Sequence, residues 1–170
     1  IETVLTNLCP LLAKDGTEVV CFNRSSDRIE ENFIGEVSDG KYKGVVLKKA
    51  GTLKIKGISA LFASFSAAFK SLSGKFDITH FHAEGPSAAI IIPKLFGRKC
   101  VATVHGLDWQ RDKWKHGFGA KYIKFGEKMI AKHADGIIVL SESARDYFKE
   151  TYGRDAVIIP NGIAKPEKTD

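Results

Sequence analysis

Cysteine is scarce in this chain: Cys9, Cys21 and Cys100 are far apart, odd in number and without C-x-x-C spacing. Such a set argues against a disulfide framework or a cysteine-held zinc, and fits reduced, mostly buried thiols in a cytoplasmic protein. The five histidines show no H-E-x-x-H pattern and no Cys/His cluster, so no metal is expected. No apolar run reaches the ~18 residues that span a bilayer. The chain opens on an amphipathic segment rather than a basic stretch with an apolar core, so no signal peptide is read. Nucleophile elbow, Walker loop and dinucleotide glycine fingerprint are all missing, which leaves chemistry by an internal nucleophile without support.

What is there suits one α/β domain. At 170 residues, 44% hydrophobic and 27% charged, the chain can bury a core. Its net charge of +6 favours anionic partners without choosing among them. Val4, Leu5, Leu8, Leu11 and Leu12 recur at helical spacing up to Asp15-Gly16, with Pro10 expected to kink the helix. Residues 17–22 predict a strand, 23–40 an irregular connection, and 42–47 a further strand. Ile58, Leu61, Phe62, Phe65, Phe69 and Leu72 predict an amphipathic helix within 55–72. Further on, a helix is expected over 119–134, a strand over 137–140, a helix capped by Ser141 or Ser143, and a last strand over 156–159. Strands and helices mostly alternate, so the class is α/β with a mostly parallel sheet.

The central stretch is FDITHFHAEGPSAAIIIPKLFGRKCVATVHGLD, residues 76–108. It reads as strand, turn, short apolar helix and strand, a parallel crossover. Chemistry in such sheets collects at the carboxyl ends of the strands, where His82 and His105 would sit on neighbours. His80 and His82, two apart, would share one face of a strand, with a chelating pair the less favoured use. His105 followed by Gly106 would place an imidazole at a cleft beside an approachable backbone; a histidine satisfying loop carbonyls reads equally well from spacing alone.

Two stretches are basic. Residues 41–57 hold six lysines and no acid. Residues 109–128 mix Arg111, Lys113, Lys115, Lys121, Lys124 and Lys128 with Trp109, Trp114, Phe118, Tyr122 and Phe125. A solvated lysine face over packed aromatics is the favoured reading. An anionic membrane surface would also suit them, and nucleic acid has no accompanying binding module.

Taken together, D-I-T-H-F-H, C-V-A-T-V-H-G-L-D, A-D-G-I-I-V-L-S and V-I-I-P-N-G-I resemble the amino-terminal domain of family 4 glycosyltransferases. The resemblance spans nearly the whole chain and is strongest over 76–163. It implies the amino-terminal half of a GT-B fold: a Rossmann-like, mostly parallel sheet with helices on both faces, mainly holding the acceptor. Residues 1–163 would form this domain and 164–170 would start the interdomain linker. It also implies sugar transfer from a nucleotide sugar with retention of configuration, generally without a metal or cofactor, to a glycan, lipid or small-molecule acceptor. Such enzymes serve cell-surface polysaccharide synthesis among other routes.

Carried onto this chain, the resemblance makes His105 the cleft histidine that contacts the donor sugar. Gly106 admits the ligand to the backbone, and His82 with the turn Glu84, Gly85, Ser87 lines the acceptor side. Asp108 belongs to the same strand-end motif. Arg111 and Lys113 would meet an acceptor phosphate or carboxylate, and Ser141 and Glu142 stand at the next strand's carboxyl end. Family members usually begin with a strand and a glycine-rich loop ahead of the first helix. Residues 1–3 look like the downstream edge of that loop, so a fragment inactive by itself is expected, with an incomplete sheet and the nucleotide-sugar domain elsewhere. Two rivals stay open: a nucleotide-sugar 2-epimerase, for which no pair of acid/base carboxylates is seen, and a non-catalytic binding domain on the same fold.

Overall fold

A computed structural model describes residues 1–24, 37–38, 40–53, 55, 59–106 and 118–162. Helix α1 (Glu2–Lys14) leads into strand β1 (Val20–Arg24), which pairs in parallel with β4 (Val45–Ala50). The single strand expected over 42–47 is instead a hairpin. Strand β3 (Lys41–Tyr42) turns through Lys43 and Gly44 into β4, and β2 (Val37–Ser38) pairs antiparallel on its outer side. Both turn residues have positive φ, 44° and 86°, the backbone a two-residue hairpin needs. These four strands form one sheet, in the order β1-β4-β3-β2.

The second sheet is wholly parallel. It runs β5 (Ile78–His82), β6 (Lys99–Val104), β7 (Gly136–Val139), β8 (Val157–Ile158), each paired with the next in chain order. The expected α/β class with parallel pairing and helical crossovers is therefore present, but shared between two sheets rather than one. Among the described strands, β1 pairs only with β4 and β5 only with β6, so each sheet shows an edge there. Phe22 and Phe76 meet edge-to-face across that break, with centroids 6.2 Å apart.

Helix α2 (Ser59–Ser71) ties the two sheets together. Towards the first sheet, Ser66 accepts a hydrogen bond from the Gly51 amide at 2.9 Å, and Lys70 Nζ donates to the Lys49 carbonyl at 2.7 Å. Towards the second, Ala68 belongs to the main core, with Phe65 and Leu72 packed against it. That core gathers Ile90, Cys100, Ala102, Val104, Ile130, Val139 and Phe148, all buried. The core residues fall on every second position, Cys100, Ala102 and Val104 on β6 and Ile137 and Val139 on β7, because one face of these strands meets the main core.

The segment after β5 is broken into two short helices, α3 (Glu84–Ser87) and α4 (Ile91–Leu95). Helix α5 (Phe118–His133) follows and packs across α3. The contact is close: a Cβ on Gly126 of α5 would lie 1.8 Å from the Glu84 carbonyl oxygen. Glycine is required at that position by backbone approach, not by its own dihedrals. Helix α6 (Glu142–Tyr152) is capped by Ser141, whose Oγ accepts the Ala144 amide at 3.3 Å, and it ends at Gly153 with φ 64°. Between α5 and α6, the fully buried Glu127 accepts hydrogen bonds from Tyr147 Oη at 2.9 Å and Tyr152 Oη at 2.5 Å. Cys9 on α1 and Cys21 on β1 sit thiol to thiol at 3.6 Å.

Gly126→Ala should therefore destabilise the fold by about 3 kcal/mol or more, because backbone rather than a pliant side chain blocks the new methyl. Gly136→Ala, whose Cβ would meet only Val101 Cγ2 at 3.6 Å, is the control and should change stability by less than about 1 kcal/mol. Urea denaturation of both variants reads the contrast; equal effects would refute the close approach of α3 and α5.

Candidate functional site

Parallel pairing of β5 with β6 sets His82 opposite Thr103, so His105, two residues further, falls on the same face beyond the strand end. Three imidazoles gather there. His82 Nδ1 lies 3.2 Å from His105 Nε2. The His80 and His82 rings stack with centroids 4.2 Å apart and planes 30° apart. His80 Nε2 is 2.8 Å from Thr103 Oγ1, which anchors the stack to β6. Sequence spacing had suggested the His80–His82 pairing; Thr103 carried no signal, since only strand register brings it in.

Burial first, then charge on His80 and His105, pushes the His82 pKa down to about 3. Burial and the His105 charge also lower that of His80. Both are therefore neutral imidazoles at pH 7. Among the described residues, no group of three or more His, Cys, Asp or Glu side chains is arranged to hold a metal ion.

The chain leaves β5 through Ala83, whose φ of 73° and ψ of 162° fall in a region nearly reserved for glycine. That conformation costs about 1–3 kcal/mol and is imposed from both sides. The Ala83 amide donates to the Thr103 carbonyl at 2.8 Å, and Ser87 Oγ donates to the Ala83 carbonyl at 2.7 Å. The resulting turn swings α3 inward. Glu84 and Ser87 are each 0% exposed, so their side chains occupy the core, where an acceptor-facing position had been expected. Gly85 and Pro86 present the surface of this turn.

Gly106 follows His105 with φ 155°, a backbone that favours glycine and is half-buried beside the imidazole. Ser141 is engaged as the α6 cap, and Glu142 is exposed in the first turn of that helix. Asp108, Arg111 and Lys113 lie outside the described residues.

The fold is that of a Rossmann-like α/β domain, with histidines gathered at the carboxyl ends of two adjacent parallel strands. More narrowly, the chain belongs to Glycosyltransferase Family 4, which matches it over residues 1–165. Membership implies a nucleotide-sugar donor and an acceptor. No curated protein matches the chain closely enough to add to this. Among the described residues, no helix is long and apolar enough to cross a membrane.

A histidine whose folded pKa lies near 3 binds its proton far less readily than in the unfolded chain, where about 6.5 applies. It leaves stability untouched above that range and destabilises progressively as pH falls from about 6.5 towards 3. His82→Asn should lose that component, so its stability should decline less steeply over this window than wild type's. Urea midpoints at stepped pH measure the difference, with His80 and His105 present in both proteins; parallel curves would contradict the buried neutral imidazole.

Proposed function

We propose that the chain is the acceptor-side domain of a retaining glycosyltransferase that moves a sugar, of hexose type, from a nucleotide sugar to a glycan, lipid or small-molecule acceptor. The observation that supports this reading is the His82–His105 pair at the carboxyl edge of parallel strands, in a chain matched to the family along 1–165. In this reading residues 1–163 form the domain and 164–170 begin the linker to a second, nucleotide-sugar-holding domain. The fragment would have no transferase activity by itself.

His105 is the residue assigned to the reacting groups. Its ring is held by His82, whose Nδ1 lies 3.2 Å from His105 Nε2. Its contribution is a fixed contact to the donor sugar, which lowers the barrier by orientation. Gly106, with no side chain, leaves room for the ligand against backbone. Gly85 and His82 would line the acceptor side, Arg111 and Lys113 would meet acceptor anions, and Asp108, Ser141 and Glu142 would complete the rim. In this reading the second domain would meet the charge on the departing nucleotide.

A screen of nucleotide sugars for slow release of free nucleotide, on the full-length protein, tests this. Turnover is expected with one donor and should drop by roughly tenfold or more in His105→Ala. Turnover unchanged by that substitution would discard the site, and neither turnover nor binding with any donor would favour a non-catalytic domain.

A peripheral contact with the inner membrane face of the cytoplasm belongs to the same reading. Lys121, Lys124, Phe125 and Lys128 are exposed at helical spacing on α5, one basic face with an aromatic ring at 49% exposure. Lysines there would meet anionic headgroups while the ring enters among them. Co-sedimentation of the full-length protein with liposomes should rise with phosphatidylserine content and weaken in Lys121→Glu/Lys124→Glu. Binding indifferent to anionic lipid would remove this part of the proposal.

A further inference from the structure

We propose that His82 is a positioning residue, holding the His105 imidazole in one orientation and one tautomer for the sugar-transfer step. The inference rests on reading His105 as the cleft histidine, and it assigns His82 a task beyond lining the acceptor side.

The geometry fixes the His82 ring from two directions. One face stacks on His80, itself tied to Thr103 Oγ1, and Nδ1 meets His105 Nε2 at 3.2 Å. The backbone on either side is equally constrained. His82 pairs with Thr103 in the β5–β6 ladder, and the next residue, Ala83, is locked in its unusual conformation by the Thr103 carbonyl and Ser87. A ring so held is a template against which another ring can be set.

The contact couples the two rings. Burial and the charges of His80 and His105 disfavour charge on His82, so it carries one N–H and one lone pair. A hydrogen bond between its Nδ1 and His105 Nε2 needs hydrogen on one nitrogen and a lone pair on the other, so the tautomer of His82 selects the tautomer of His105.

The test uses the full-length protein with ring-¹⁵N histidine. The His105 signals should report a single tautomer near neutral pH. His82→Phe keeps a ring on His80 but removes Nδ1. It should release His105 into a tautomer mixture and lower kcat by about tenfold to a hundredfold, with donor KM changed by less than about threefold. His82→Asn, whose amide lies near the lost Nδ1, should recover most of both. Should His82→Phe not fold, the wild-type tautomer and His82→Asn still decide. A mixture of His105 tautomers in wild type, or a His105 spectrum indifferent to His82→Phe, overturns the inference even where His105→Ala abolishes turnover. Turnover indifferent to His105→Ala instead overturns the functional reading, while the spectra continue to judge His82.

Discussion

The parallel register of β5 against β6 is the constraint on which the site depends. With His82 opposite Thr103, every second residue of both strands shares a face, so His80, His82, Thr103 and His105 converge without any long-range design. A slip of one residue would turn His105 to the opposite face from His82 and disperse the group. Register is protected by the other face of the same strands, where Phe81, Ala102 and Val104 are buried in the main core. Hydrophobic packing on one side thus fixes polar geometry on the other.

The turn after β5 extends the same logic. Ala83 accepts an unfavourable backbone because Thr103, Ser87 and the close approach of α5 at Gly126 leave it no alternative. Strain of this kind persists only where surrounding contacts over-determine it, and here it lies directly beside the histidines. The consequence is a strand-end edge formed by backbone and imidazole on rigid elements. Further out, the half-buried Tyr147 and Tyr152 donate to the buried Glu127 and join α6 to α5.

Much of this was legible in the residues. The apolar spacing over 55–72, the β-branched run before His105, the Ser141 cap and the Gly153 stop gave the crossover pattern, and the motif order gave the family. Less legible was anything set by contact between distant segments. Lys43 and Gly44 looked like weak points in one strand, although they are the turn of a hairpin. Glu84 and Ser87 looked like polar turn residues available to a ligand, although α5 covers them.

The sequence by itself determined the α/β class, the family and the two histidines at strand ends, because periodicity, turn chemistry and motif order are local properties. Tertiary structure alone decided that the strands divide between two sheets, that Glu84 and Ser87 turn inward, and that Thr103 and His80 brace His82 against His105. Those outcomes depend on strand register and on how closely two helices approach, and neither is written in the spacing of any one segment.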